Sequence, residues 1–409
     1  MEGSIIVGID VGTSKICALV GRAEGSRLRI LGVGIEPAKG IRKGAIVDLS
    51  AAAQSIRHAV DKAERTSGLE INAALVSLAG AQVSALNNRG AVGIAGGRAI
   101  DEDDVARAMD AARAVSIPHN QEIVHIIQRN FTVDGQDGIR TPVGMHGYRL
   151  EVEAHIITAA TSTVENLRQC VHAAGVEVSQ FVLAPLASAE TALSEDDREM
   201  GVVVCDFGGG TTDLAIYIEG DVWHTAVLPV GGDHITSDIA HGLRLPTDQA
   251  EAIKKKHGHA LVDQIAPEEY FTIKPFGMEA PSQISRLDLA HIIGARVEEI
   301  FGLVLQEIKR SGYDGLLPAG MVLTGGASLL PGVRSLAHQV LDMPVRIALP
   351  ENLSGMTDQL ISPAFATSVG LLNWALLMNE IALQPRRRAT LGGVANWEKI
   401  KDILRRLLP

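Results

Sequence analysis

The feature that most constrains the fold is a pattern that occurs twice. Near the N-terminus, an apolar run ends at Asp10, a turn with Gly12 follows, and a second apolar run begins at Ile16. About halfway along the chain the same order returns around Asp206 and Gly208. Short apolar runs on either side of a glycine turn are typical of strands that reverse direction. Two copies predict an α/β chain built from two similar halves with a cleft between them.

Composition agrees with this class of fold. The 409 residues are 46% hydrophobic and 3% aromatic and include 42 glycines, which favours a glycine-punctuated α/β protein over a β-sandwich. A net charge of −11 argues against a broadly basic surface for nucleic acid. The 3 scattered cysteines predict neither a disulfide framework nor a zinc site. Helices are predicted over 49–67, 101–115, 163–174, 286–312, 331–341 and 363–378.

Both turns carry residues that suit a phosphate. Glycine lets the backbone approach closely, and successive N–H groups and hydroxyls donate to phosphate oxygens. We expect Asp10 and Asp206 to hold Mg²⁺, largely through water, because each ends a strand beside such a turn. One such turn alone is equally well explained as a β-hairpin, and the pair favours a site. The predicted phosphate-binding residues are Asp10, Gly12, Thr13, Ser14, Lys15, Gly208, Gly209, Gly210, Thr211 and Thr212.

A third glycine turn follows the apolar run at Met321. Alone it would be an ordinary strand-to-helix loop. Together with the other two turns it predicts a nucleoside site lined by backbone, with Gly325, Gly326 and Ala327 as the contacting residues.

The three turns resemble motifs of a known superfamily. The segments that start at Asp10, Asp206 and Thr324 resemble the two phosphate motifs and the adenosine motif of the actin/Hsp70/sugar-kinase superfamily. The segments that start at Val182 and Ser362 resemble its two connecting helices. Within that superfamily the chain is most similar to the FtsA family of bacterial cell-division proteins. The further segments that carry this resemblance are 144–150, 231–238 and 248–254.

The resemblance implies an actin-like (ribonuclease H-like), duplicated, two-lobed ATPase fold. It also implies a family-specific α+β inserted subdomain, called 1C, in place of the 1B subdomain of actin, and a C-terminal amphipathic helix. The implied bounds are 1–82, 166–193 and 350–382 for subdomain 1A, 83–165 for 1C, 194–227 and 314–349 for 2A, 228–313 for 2B, 383–395 for a flexible linker and 396–409 for a membrane-targeting helix.

The resemblance also assigns residues to the chemistry. Glu251 and Lys254 match a pair that contacts the adenosine, although an ordinary solvated ion pair has the same spacing. Some relatives place a glutamate near the attacking water where this chain has Ala184, so we expect at most a slow ATPase. The remaining candidate catalytic residues are Asp206, as a base, and Gln180, which is alternatively a structural glutamine.

The C-terminal segment has an amphipathic pattern. Its apolar residues fall on one helical stripe and its basic residues lie off it, which predicts a helix lying in an anionic membrane surface. The alternative is a terminal helix docked on the body of the protein. The membrane-binding residues are Trp397, Ile400, Ile403, Leu404, Leu407 and Leu408 on the stripe, and Lys399, Lys401, Arg405 and Arg406 beside it.

The FtsA resemblance implies an ATP- and Mg²⁺-binding protein that polymerises with itself and binds anionic lipids. It implies that 2B binds the C-terminal peptide of FtsZ, with Arg286 in that site unless it is only an exposed helix residue. The protein would tether the FtsZ ring to the cytoplasmic face of the inner membrane at the septum, as a peripheral protein. Residues 83–165 would recruit late divisome membrane proteins. The alternatives are an actin-like pilus-assembly ATPase and a sugar or acetate kinase of the same superfamily.

Overall fold

The computed structural model describes residues 4–24, 27–277 and 280–383. The predicted tail helix at 396–409, with all its membrane-binding residues, lies outside the described residues, as does the predicted linker after Leu383. The described strands are β1 (Ile5–Val11), β2 (Lys15–Glu24), β3 (Arg27–Pro37), β4 (Ile41–Arg42), β5 (Ala45–Ile46), β6 (Ala73–Leu78), β7 (Val83–Gly93), β8 (Gln121–Val133), β9 (Gln136–Ile139), β10 (Arg149–Ala160), β11 (Glu177–Leu183), β12 (Val202–Phe207), β13 (Thr212–Ile218), β14 (Asp221–Leu228), β15 (Tyr270–Ile273), β16 (Ser282–Ser285), β17 (Met321–Thr324), β18 (Val345–Ile347) and β19 (Leu353–Gly355).

The helices match the predicted spans closely, except that the last one extends further. The helices at Ala184–Ala192, Glu195–Met200, Gly232–Leu243 and Thr247–His257 lie outside those spans, although the first of them overlaps a segment that resembles a connecting helix. The described helices are α1 (Leu49–Ser67), α2 (Glu102–Arg113), α3 (Thr161–Ala173), α4 (Ala184–Ala192), α5 (Glu195–Met200), α6 (Gly232–Leu243), α7 (Thr247–His257), α8 (Arg286–Ser311), α9 (Val333–Leu341) and α10 (Ala366–Leu383). Across the described ranges, none of these helices is both long and apolar enough to cross a bilayer.

Two sheets of the same topology form the two lobes. In the first lobe, β1, β2 and β3 make an antiparallel meander, and β6 and β11 follow in parallel on the other side of β1. In the second lobe, β12, β13 and β14 make the meander, and β17 and β18 follow in parallel beside β12. This repeated order confirms the predicted duplication. The first sheet has one extra strand, β19, parallel to β3.

The predicted bounds of helix α1 coincide with the observed ones because both ends carry local signals. Asp48 accepts a hydrogen bond from the Ala51 N–H at 3.0 Å and caps the N-terminus. Gly68 ends the helix at a φ of 71°, a left-handed conformation that suits glycine. On the sheet beneath, a side chain at Gly34 would overlap the backbone of Ala59, so the helix lies directly on β3. Cap and breaker are both local signals, so the sequence reveals them.

The inserted subdomain lies between β6 and α3. It is an antiparallel sheet in the order β7, β10, β8, β9 with α2 packed on one face. Phe131 and Leu150 belong to its own apolar core. Gly90 allows the close approach of α2, since a side chain there would overlap Ala108 and Ala112. This agrees with the predicted α+β insertion.

The chain crosses between the lobes at α4 and again before α10. These two helices pack on each other, and a side chain at Gly370 would overlap the carbonyl of Ala187. The backbones of the two helices are therefore in direct contact where the helices cross. Side chains of these two helices contact the aspartates near the ends of β1 and β12. The candidate site therefore lies where these two strands end.

Candidate functional site

The two predicted phosphate turns face each other across the lobes. Each is closed by one backbone hydrogen bond of 3.0 Å, from the Gly12 N–H to Lys15 and from the Gly208 N–H to Thr211. A Cβ on Gly210 would lie 2.5 Å from the Thr13 hydroxyl and 3.0 Å from the Cα of Lys43. The lobes thus meet at a contact that only glycine allows.

Beside this contact lies a cavity of about 510 Å³. Its lining brings together most of the residues predicted from the sequence to bind phosphate, metal or nucleoside. Those present are Asp10, Gly12, Thr13, Ser14, Lys15, Asp206, Gly208, Gly209, Gly210, Thr211, Glu251, Lys254, Gly325, Gly326 and Ala327.

Two predicted site residues are not in that lining. The Thr212 hydroxyl donates to the Val230 carbonyl at 2.8 Å, so it fastens the start of β13 instead of facing a phosphate. Gln180 lies on β11 and lines a separate cavity of about 110 Å³ with Glu122 and Arg168. Gln180 therefore lies outside the cleft lining in this structure, and its catalytic role and its alternative as a structural glutamine both stay predictions. Sequence alone could not show which way these side chains point.

Asp10 is buried at the end of β1 and is fully partnered. Its Oδ1 accepts a hydrogen bond from the Ser77 hydroxyl at 3.0 Å, and its Oδ2 accepts one from Ser368 at 2.7 Å. The Lys15 ammonium lies 3.6 Å from Oδ2. The first lobe therefore supplies a positioned carboxylate together with a cation.

Asp206 occupies the equivalent place in the second lobe. Its Oδ2 accepts hydrogen bonds from the hydroxyls of Ser188 and Thr367, each at 2.6 Å. Burial raises the pKa of Asp206 and the Asp10 charge adds to this, while the two hydroxyls act in the opposite direction. Within the described residues no ion pair is made with this carboxylate. Asp206 is consequently a stronger base than an ordinary aspartate.

A third carboxylate, Asp213, was missed by the sequence reasoning. It pairs directly with Asp206 across the β12–β13 ladder, lines the cavity and is buried. Its Oδ2 accepts from the Thr211 hydroxyl at 3.2 Å, but its Oδ1 has no hydrogen-bond partner. Burial, and next the Asp206 charge, raise the pKa of Asp213 well above its usual value. Counting register across the predicted hairpin would have found it.

These carboxylates fit a hydrated divalent cation. Three buried carboxylates share one nearby lysine, and one oxygen is unpartnered, so the cleft is short of positive charge. In the part of the chain that the structure describes, no three such side chains converge closely enough to hold a bare metal ion. Mg²⁺ usually keeps several waters and completes its shell with substrate phosphates, which suits this spacing.

The far wall of the cleft is formed by α6 and α7. The Lys254 ammonium lies 2.6 Å from Glu251 and donates to the Gly232 carbonyl at 2.9 Å and the Thr236 hydroxyl at 2.7 Å. Burial alone would raise the pKa of Glu251, but the Lys254 charge brings it below the usual value. This pair is half-buried against the cavity, so the reading as a solvated surface pair does not hold.

The third glycine turn closes the remaining side. Gly325 has a φ of 84°, and a Cβ there would lie 2.5 Å from the Phe207 carbonyl oxygen. Its N–H donates to the Pro363 carbonyl at 3.0 Å, just before α10. The turn therefore presents backbone to the cavity and is tied to the segment of the first lobe that precedes α10.

Arg286 lies apart from the cleft, at the first position of α8. Its guanidinium pairs with Glu269 at 2.5 Å, and its Nε donates to the His257 carbonyl at 2.8 Å. Any acidic partner for Arg286 would therefore compete with Glu269.

Comparison with known proteins identifies the family. The family model described as "Cell division protein FtsA" matches residues 203–370, and "SHS2 domain inserted in FTSA" matches residues 80–158. The cell division protein FtsA of Pseudomonas aeruginosa is 43% identical over 377 residues, which cover 92% of this chain and 90% of that protein. The chain belongs to the FtsA family of cell division proteins.

Other FtsA proteins agree. The FtsA of Bacillus subtilis is 41% identical and covers 91% of this chain and 84% of its own length. The FtsA of Escherichia coli K12 is 35% identical over 97% of this chain and 96% of its own length. These matches confirm the resemblance seen in the turns and the connecting segments.

Solved structures with an actin-like fold resemble most of the chain at low sequence identity. A "PilM-PilN type IV pilus biogenesis complex" chain has a TM-score of 0.62 at 18% identity and covers 90% of this chain and 97% of its own. MreB5 of Spiroplasma citri bound to ADP has a TM-score of 0.57 at 15% identity, with 93% and 98% covered. These likenesses show the fold, whereas the FtsA relatives decide against the pilus alternative.

Proposed function

We propose that this FtsA-family protein binds ATP with Mg²⁺ in the cleft. The observation that carries the proposal is the pair of opposed glycine turns with three buried carboxylates, of which Asp213 has one oxygen, Oδ1, without a hydrogen-bond partner. A polyphosphate alone would be repelled by these acids, whereas its magnesium complex brings the missing cation. MreB5, which has the same fold, is described as bound to ADP.

Each wall of the cleft has a part in this proposal. The N–H groups of both turns donate to the phosphates, and Lys15 neutralises one of them. Asp10 and Asp206 orient the waters of the magnesium ion, which when bound neutralises phosphate charge. Glu251 and Lys254 contact the adenosine from one side, and the backbone of Gly325–Ala327 covers it from the other.

Hydrolysis is slow in this proposal. Asp206 is the candidate base, but its Oδ2 already accepts two hydroxyl hydrogen bonds, and Ala184 contributes no acid or base to the lining. We expect turnover well below about 1 s⁻¹, the lower end of typical enzymes.

Calorimetry with Mg-ATP tests the site. Asp206→Ala should weaken binding at least tenfold, while Asp314→Ala, an exposed aspartate outside the cleft lining, should leave it unchanged. Absence of binding by the unmodified protein, or equal effects of both variants, would refute the proposal.

We further propose the family role in division. The chain tethers FtsZ to the cytoplasmic face of the inner membrane at the septum, polymerises, and recruits late divisome proteins through 83–165. Support comes from the curated FtsA relatives, which match nearly the whole chain, and from the amphipathic pattern of 396–409. Arg286 would bind the acidic FtsZ peptide by exchanging Glu269 for a peptide carboxylate.

Co-sedimentation with anionic vesicles tests this role. The full chain with Mg-ATP should bring a fluorescent FtsZ C-terminal peptide to the vesicles, and a chain truncated at Gln384 should not. Arg286→Glu should lose the peptide but keep the vesicles, whereas Arg296→Glu, which breaks a pair with Asp238, serves as the control. Vesicle binding by the truncated chain, or equal peptide binding by Arg286→Glu, would contradict the proposal.

A further inference from the structure

The inserted subdomain contacts the second lobe, although the chain attaches it to the first. It leaves the first lobe after β6 and returns to it through α3. Its strands β7, β8 and β10 nevertheless lie against β14, the edge strand of the second sheet. The lobes are therefore joined here as well as at the two chain crossings and at the contact between the two phosphate turns.

Buried polar groups pair across this contact. His155 lies beside Asn87 in the β7–β10 ladder, and its Nδ1 is 2.6 Å from the Asn87 Oδ1. Because that oxygen only accepts, Nδ1 carries the proton, and Nε2 accepts from the Thr225 hydroxyl at 3.0 Å. Burial lowers the pKa of His155 to about 3, so the ring is neutral, as this pairing requires.

The amide of Asn87 extends the contact. Its Nδ2 donates to the Trp223 carbonyl at 3.1 Å and to the Tyr313 hydroxyl at 3.3 Å. The Arg129 guanidinium lies over the Trp223 ring, 3.8 Å from its centre. Strand β14 and the loop that follows α8 in the second lobe are thus held by residues of β7 and β8.

A surface ion pair and an apolar core complete the contact. Arg140, after β9, donates to Glu199 at 2.8 Å and to the Glu219 carbonyl at 3.0 Å. Ile157 of β10 shares one buried cluster with Val222 of β14, which also includes residues of both connecting helices. We call this contact the clasp, formed by Asn87, Arg129, Arg140, His155 and Ile157 with Glu199, Val222, Trp223, Thr225 and Tyr313.

We propose that the clasp holds the cleft closed. None of its residues lines the cavity, yet it fastens the second lobe to a subdomain carried by the first. Opening the cleft would have to break these contacts or move the inserted subdomain relative to the first lobe. Closure of the cleft and docking of the inserted subdomain are then one equilibrium, and each favours the other.

Adjacent asparagines provide a matched pair of variants. Asn87 points to the second lobe, whereas the Nδ2 of Asn88 donates at 2.7 Å to the Ala112 carbonyl inside the inserted subdomain. Asn87→Ala and Asn88→Ala each remove one hydrogen-bonded side-chain amide from the same strand. Only Asn87→Ala should change the distance between the lobes.

The first measurement needs no nucleotide. Spin labels at Asp61→Cys on α1 and Arg334→Cys on α9, both exposed, report the lobe-to-lobe distance. The native cysteines are buried and will not compete for label. Asn87→Ala should give a longer and broader distance distribution than the unmodified chain, and Asn88→Ala should not. If the distribution for Asn87→Ala superimposes on that of the unmodified chain, the clasp proposal is wrong.

The second measurement rests on the proposed function. Asn87→Ala should weaken Mg-ATP binding about tenfold through faster dissociation, because the closed fraction falls. Asn88→Ala should stay within about twofold. If the unmodified chain binds no ATP, the proposed function fails, and the label distances still decide the clasp. If Asn87→Ala does not fold, Arg140→Ala on the surface should shift the distances in the same direction, and no shift would overturn the proposal.

Discussion

The two phosphate turns have the same backbone and different electrostatics. Each closes with one hydrogen bond of 3.0 Å, and each aspartate accepts hydrogen bonds from two hydroxyl groups. In the first turn Lys15 lies 3.6 Å from Asp10, and the residue paired with Asp10 across the strands is Cys17. In the second turn the residue paired with Asp206 is another carboxylate, Asp213.

This difference divides the work between the lobes. The first turn brings its own cation and can meet a phosphate directly. The second turn is a pair of buried acids whose pKa values are raised, so it is ready for a metal ion. The two lobes therefore share the geometry of the phosphate turn. Lys15 in the first turn and Asp213 in the second give the two turns different charges.

The largest effect should come from a methyl group at the contact between the turns. Gly210→Ala places a Cβ 2.5 Å from the Thr13 hydroxyl and 3.0 Å from the Lys43 backbone, so it pushes the lobes apart. We expect Mg-ATP affinity to fall at least about 100-fold by calorimetry, since a misfit of this size separates the two halves of the site. Gly12→Ala meets only Lys15 of its own turn, at 2.9 Å, and should cost about tenfold. Equal effects would mean that the turns do not touch in solution.

The next largest effects should come from removing a charge from one turn or the other, and the two turns should respond differently. Asp206→Asn should raise the magnesium concentration needed for ATP binding by about 30-fold, because it removes a charge with which no described lysine forms an ion pair. Lys15→Ala should instead weaken ATP binding about tenfold with little change in the magnesium requirement. Titrations of ATP at fixed magnesium and of magnesium at fixed ATP measure both. A common response of the two variants would contradict the division of work.

The second acid should have opposite effects on stability and binding. Asp213→Asn removes a buried charge with an unpartnered oxygen, so the ligand-free protein should gain about 1–2 kcal/mol in the free energy of unfolding. The same change should weaken Mg-ATP binding. Thermal unfolding with and without Mg-ATP measures the two effects. A loss of ligand-free stability would show that the carboxylate has a partner in solution.

The pH dependence of that gain has a definite sign. The folded pKa of Asp213 is raised above 3.8, so the folded state holds more protons between the two values. The penalty of the buried charge therefore grows as pH rises through this window and is fully present above it. The advantage of Asp213→Asn should be absent below about pH 4 and should grow as pH rises through the raised pKa of Asp213.

The smallest effect on binding should come from Thr212. Its hydroxyl is committed to the Val230 carbonyl, so Thr212→Val should lower stability by about 1 kcal/mol and change ATP affinity less than twofold. Thr211→Val is the matched variant, since Thr211 lines the cavity and its hydroxyl donates to Asp213. It should weaken binding several-fold. The reverse order would restore Thr212 as a phosphate ligand.

Local features of the sequence predicted the fold and much of the site lining. The glycines and aspartates of the two turns can be recognised in the sequence because each strand end and its turn are contiguous. Asp48 and Gly68 likewise mark the two ends of α1. The FtsA relatives confirm the family that these turns indicate.

What the sequence left out depends on distant pairing. Ser77, Ser188, Thr367 and Ser368 hold the two aspartates, but each comes from a different strand or helix than the aspartate that it contacts. Gln180 was expected in the cleft because it resembles a glutamine that reaches the site in actin, whereas here its strand places it in the lining of another cavity. Side-chain direction and long-range contact follow from tertiary packing, which a motif does not encode.

The extra strand β19 and helix α10 have a consequence for how the protein is made. Both belong to the first lobe, where α10 residues Val369 and Leu372 bury Ile6 and Leu19, yet the ribosome synthesises them after the entire second lobe. While translation proceeds, one face of the N-terminal sheet has no cover. The emerging chain must therefore keep that face from aggregating until α10 arrives, and maturation of the first lobe waits on the second.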